Sequence, residues 1–134
     1  MKKILFALGI LLLLSACKTT VAISENLSPA EIIQRAHEAM DRNRYKIATQ
    51  YYQALYERNQ TNIDLIITAE YHLAFIEYKQ RRFAQARAGL KKVLEYYNSP
   101  DEILLPQHFK RLSQIVLQSI DEKENRRRPS RRRN

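Results

Sequence analysis

Cysteine is nearly absent: the 134 residues hold one, Cys17. No intramolecular disulfide can form, and a lone thiol in an exported chain is a liability unless it is already committed. Glycine and proline are almost as scarce, at two and four residues. Between positions 30 and 99 only Gly89 interrupts the chain, and no stretch alternates polar and apolar residues as a half-buried strand does. The signatures of common catalytic sites are also missing. There is no HExxH or HxxxH, no GxGxxG and no P-loop, and His37, His72 and His108 are too far apart to share one helical turn. Histidines so placed suit polar or groove-lining roles better than metal ligation. The chain is read as a non-enzyme with neither cofactor nor metal.

The length suffices for one domain and is too short for two. A core of this size needs no disulfide or metal. The net charge of +9 suggests nucleic acid until it is located. Lys2 and Lys3 precede an apolar run, and six more positive charges are Arg126, Arg127, Arg128, Arg131, Arg132 and Arg133. Setting those eight aside leaves roughly +1 for the body. The basicity belongs to one tail, and nucleic acid is not an expected partner of an exported chain.

The residues from Ile4 to Leu14 are apolar. As a helix they span roughly 16 Å, well short of the ~30 Å hydrocarbon core of a bilayer. A basic start and a run of this length fit a secretory signal rather than a membrane span. The run ends in Leu14-Ser15-Ala16-Cys17, which resembles the lipobox of bacterial lipoproteins. The resemblance implies a diacylglyceryl group on the Cys17 thiol, cleavage before Cys17, and an acyl chain on the new amino terminus. Several acyl chains hold a protein to a bilayer far better than one. Lys18, where an Asp would signal retention in enteric-type sorting, implies an outer-membrane destination within the cell envelope. Residues 1–16 are thus read as signal peptide and 17–27 as an aperiodic lipidated tether.

The body reads as all-α. Ser28-Pro29-Ala30-Glu31 carries a capping serine, a proline at the first helical position and a glutamate that closes a capping box. Thr61-Asn62-Ile63-Asp64 offers a weaker version, and Ser99-Pro100-Asp101-Glu102 repeats the first. Five stripes at helical spacing follow. They are Ile32, Ile33, Ala36, Ala39 and Met40; Tyr45, Ala48, Tyr52, Leu55 and Tyr56; Leu65, Ala69, Leu73 and Ile76; Phe83, Ala86, Leu90, Val93 and Leu94; and Phe109, Leu112, Val116 and Ile120. The second stripe maps onto the fourth at a shift of 38, which also places Ala36 on Ala74 and the polar turn 41–44 on 79–82. A helical hairpin repeated twice follows.

This pattern resembles the tetratricopeptide repeat (TPR). Ala36, Tyr45, Ala48, Tyr52 and Leu55 carry the match in the first repeat. Leu73-Ala74, Phe83, Ala86, Leu90 and Val93 carry it in the second. The period is four residues longer than the usual 34, and the turn glycines are missing. The resemblance implies antiparallel hairpins in a TPR-like superhelix over residues 28–98, with a capping helix over 99–124. That helix becomes regular near Pro106 and keeps Arg111, Gln114, Gln118 and Glu122 in solvent, since terminal repeats need a solvated cap. Lipid anchor and hairpins together are similar in architecture to the BamD-type lipoproteins of outer-membrane assembly, which carry more repeats.

In that family the first helix of each repeat lines a groove for a peptide or helix. The carried-over positions are Ile33, His37, Met40 and Asp41, then Tyr71, Phe75, Tyr78 and Lys79. Tyr71 and Phe75 serve either as interface anchors or as core. The basic and asparagine residues that clamp carboxyl-terminal carboxylates are missing, which argues against that ligand. Residues 125–134 are too charged to fold alone. Their six arginines suit anionic lipid or lipopolysaccharide phosphate, at ~1 kcal/mol per charge near such a surface. Two functions result: a scaffold that holds an envelope protein or peptide at a membrane, or a surface lipoprotein that binds an anionic polymer or lipid through its tail.

Overall fold

The computed structural model describes residues 20–127. Five α-helices follow one another: α1 (Pro29–Asp41), α2 (Tyr45–Arg58), α3 (Ile63–Lys79), α4 (Phe83–Glu95) and α5 (Gln107–Arg127). Each packs on the next, and α3 also reaches α5. The result is all-helical, with packed adjacent pairs. Cys17 and the tail arginines Arg128, Arg131, Arg132 and Arg133 lie outside the described residues.

The repeat is visible in the backbone. Helix α1 ends at Asp41 and α2 begins at Tyr45; α3 ends at Lys79 and α4 begins at Phe83, each 38 residues later. The two turns share their hydrogen bonds. Asn43 N–H donates to Met40 O and Arg44 N–H to Ala39 O, while Arg81 N–H donates to Tyr78 O and Arg82 N–H to Glu77 O. Asn43 and Arg81 both take the left-handed conformation, at φ 54° and 63°. A residue with positive φ reverses the chain after a helix, which is why glycine or asparagine is the usual choice there. Arginine is not.

The capping box at Ser28 forms: the Glu31 N–H donates to its side chain and Glu31 accepts from the Ser28 N–H. At the next start the cap is Asn62, whose side chain accepts from Asp64 N–H and Leu65 N–H. Thr61 plays no such part. Ser99-Pro100-Asp101-Glu102 opens no α-helix. It leads into a 3₁₀ turn, Glu102–Leu104, and α5 starts only after Pro106. Proline disfavours helical geometry in the residue before it, and Leu105 is extended, with ψ 158°. Only one turn fits between Pro100 and Pro106.

Helix α3 lies between two cores. One gathers Ile32, Ala36, Ala48, Tyr52 and Leu55 of the first hairpin with Ala69 and Ile76. The other gathers Ile67, Tyr71 and Ala74 with Phe83, Leu90 and Val93 of α4 and Phe109, Val116 and Ile120 of α5. A helix buried on both sides must be apolar nearly all round, as α3 is. Where α3 and α4 meet, a Cβ at Gly89 would lie 2.7 Å from Ala74 Cβ, so the small residues set the spacing. The α5 stripe differs from expectation at one place. Ser113 is buried, whereas Leu112 and Ile115 are 38% and 54% exposed. Phe109, Ser113, Val116 and Ile120 keep to one side of the helix, and Leu112 falls beside it. Arg87 of α4 clamps α5 through Asp121 (2.7 Å) and Glu124 (3.0 Å).

Two boundaries move. The segment from Val21 to Leu27 does not run free as a tether: Val21, Ile23 and Leu27 pack on the first core. Val21 N–H donates to Gln50 Oε1 at 2.7 Å, and the Arg58 guanidinium donates to the Ile23 and Ser24 carbonyls at 3.1 and 3.0 Å. At the other end α5 continues through Arg126 and Arg127, because chain already helical extends more easily than an isolated charged segment nucleates.

Candidate functional site

The first helices of the hairpins and α5 carry one histidine each, and the fold brings the three together. His37 of α1 meets His72 of α3 edge-on at 5.0 Å between ring centroids. His72 stacks flat on Tyr52 of α2, at 4.6 Å and 5°. On its other side His72 meets Phe109 of α5 at 5.9 Å, and Phe109 is 4.0 Å from the ring of His108. The result is an aromatic and imidazole face running across α1, α3 and α5. His37 and His108 are exposed at its two ends, and His72 is half-buried between them.

Burial sets the chemistry of the centre. Loss of water around His72 disfavours its charged form, and the neighbouring His37 and His108 add to this, so its pKa is pushed down to about 4. It is therefore a neutral ring at pH 7. Burial likewise pushes the Tyr52 phenol well above its ordinary range, with Asp41 contributing. Tyr52 Oη and His72 Nδ1 are both buried without a hydrogen-bond partner among the described residues. Two unmet polar groups sit side by side beneath the face.

The positions expected to form a groove divide. His37, Asp41 and Lys79 are exposed, while Ile33 and Met40 are half-buried against the first core. Tyr71 is only 4% exposed and lies 5.0 Å from Phe109, so it is a core residue and not an anchor within reach of a partner. Phe75 and Tyr78 continue a stacked row from Tyr71 and pack against the second core. Tyr78 Oη lies 2.8 Å from Ser119 Oγ and also accepts from Lys123. That ammonium lies 4.4 Å over the Tyr78 ring, and its hydrogen bond, with that of Ser119, draws the Tyr78 pKa down. Helix α5 thus covers much of the surface that α3 was expected to present. His72 and His108, open to a polar or groove-lining role in the sequence, were not among the carried-over groove positions, and Phe109 was expected only in the α5 stripe. One signal for them was one histidine on each of three helices that a hairpin stack places side by side. Among the described residues no three of His, Cys, Asp or Glu come together as metal ligands. Of the tail arginines, only Arg126 has a described side chain; it is exposed, 3.8 Å from Glu122.

Residues 1–17 match the model of the prokaryotic membrane lipoprotein lipid attachment site, which ends on Cys17. The chain is a bacterial lipoprotein held in the cell envelope by lipid. No helix of the described residues is long and apolar enough to cross a membrane. The chain is similar to a protein of Treponema pallidum (strain Nichols) described as uncharacterized, with 31% identity over 110 residues. That match covers 80% of this chain and 44% of the relative, so the chain spans less than half the relative's length. No solved structure matches.

Proposed function

We propose that this lipoprotein is a non-catalytic TPR-like scaffold whose α1–α3–α5 face holds a peptide or helix of another envelope protein at the membrane. The observation that carries the reading is the convergence of His37, His72 and His108 on the one face that successive repeat units share. Flat rings offer contact area with few rotors to freeze, and imidazoles add directional polar contacts. The 38-residue repeat of helix ends and turns supports the TPR-like description. It also supports the architectural similarity to BamD-type lipoproteins, from which a part in outer-membrane assembly is inferred.

Affinity capture with the lipidated full chain tests this. His37→Ala/His108→Ala is expected to lose the co-purifying envelope protein, while replacing Arg131, Arg132 and Arg133 by glutamine retains it. Retention by the histidine variant with loss by the tail variant would shift the function to the arginines.

A further inference from the structure

Three residues separate the lipid-bearing Cys17 from the docked Val21, and the four Cα–Cα steps between them reach at most ~14 Å when fully extended. Val21 is fixed to α2 by its hydrogen bond to Gln50, and Arg58 holds the next turn of the segment. The surface around Val21 is therefore kept close to the bilayer in which the anchor sits. That surface is a cavity of about 510 Å³ between α1 and α2, with Val21 at its edge. Ala39 and Tyr51, both buried, contribute an apolar floor, and Arg35, Arg42 and Arg44 line it. All three arginines are exposed.

The cavity also holds two carboxylates, Glu31 and Glu38. Glu31 is held by the Ser28 capping box with Arg35 as its charge neighbour, and Glu38 accepts from Gln34 at 3.2 Å; these bonds leave the carboxylate charges in place, and three guanidiniums outnumber the two carboxylates. Arg42 and Arg44 have no salt bridge among the described residues. Guanidinium groups over an apolar floor match a phosphodiester attached to an acyl chain, since they bind phosphate through paired hydrogen bonds. The polar region of a bilayer leaflet is only about 5–7 Å deep. A leash this short leaves the arginines within reach of that layer.

We propose that this cavity is a headgroup site, in which Arg35, Arg42 and Arg44 hold the phosphodiester of an anionic phospholipid from the anchoring membrane. The site rests on the lipid at Cys17 and the docked leash, and not on the scaffold reading. It would fix which side of the helical stack faces the bilayer, leaving lipid and headgroup as two separate holds.

The test uses the lipidated full chain in vesicles of phosphatidylcholine alone, or with a quarter of the lipid replaced by phosphatidylglycerol. Amide exchange over residues 34–47 is expected to slow at least threefold in the anionic vesicles. The Arg35→Gln/Arg42→Gln/Arg44→Gln variant is expected to lose that protection, and the glutamine variant of Arg131, Arg132 and Arg133 to keep it. In the unsubstituted chain, a spin label on the phosphatidylglycerol headgroup should relax amides 35–44 more strongly than those around Lys91 of α4. Equal exchange in both vesicle types would overturn the proposal. So would protection unchanged in the triple variant, or protection reproduced by inorganic phosphate over phosphatidylcholine.

Discussion

Tyr52 buries its whole ring and leaves its hydroxyl without a partner among the described residues. A buried hydroxyl that has lost water and gained no bond costs about 1–3 kcal/mol. Tyr52→Phe keeps the stacking on His72 and removes that penalty. Urea denaturation is expected to show a gain of roughly 1 kcal/mol, and a loss of that size would mean that the hydroxyl has a partner. His72 supplies the second prediction at this scale. Its folded pKa of about 4 lies below the ordinary 6.5, so the unfolded chain binds the proton more readily. The resulting stability is fully present above pH ~6.5 and is lost as pH falls towards 4. With solvent screening at a half-buried ring, the change is on the order of 2 kcal/mol. His72→Phe should flatten that part of the pH profile.

Between elements, the close approach of Gly89 to Ala74 constrains the second hairpin. Gly89→Ala gains about 1 kcal/mol of helix propensity. It also pushes a methyl to 2.7 Å from Ala74 Cβ, and overpacking of this kind costs about 1–3 kcal/mol. A loss of roughly 1 kcal/mol in unfolding free energy is expected, read as a lower urea midpoint, with restoration in Gly89→Ala/Ala74→Gly. The matching position of the first hairpin is Tyr51, so the two hairpins cannot pack identically there. Element ends were legible in the sequence wherever a repeated pattern fixed them: the turns at Asn43 and Arg81 fall 38 residues apart, as the aromatic residues Tyr45 and Phe83 indicate. Ser99-Pro100-Asp101-Glu102 misled because a capping pattern starts a helix only when helical chain follows. Here Pro106 intervenes, and Ile103 and Leu104 point to solvent at 76% and 78% exposure.

Across the whole molecule, sequence periodicity conveys which face of each helix is buried, and much less about which helices share a surface. The expected groove included His37 but placed Tyr71 beside it, because stripes alone do not show that α5 closes over α3. The leash was equally hidden. Val21, Ile23 and Leu27 follow no helical or strand period, so only the folded first core shows where they pack. Once docked, they leave only a short link between the lipid site and the helices. The histidine face then becomes the candidate for partner recognition, and the arginine cavity the candidate for membrane contact.

The most direct measurement of the scaffold reading is site-specific photocrosslinking in intact cells. The lipidated chain would carry a photoreactive side chain at position 37, at position 108, or at the exposed Lys91 of α4 as the control. A shared binding face yields one and the same protein adduct from positions 37 and 108 and none from 91. An adduct from 91 alone, or different adducts from 37 and 108, would contradict a shared binding face.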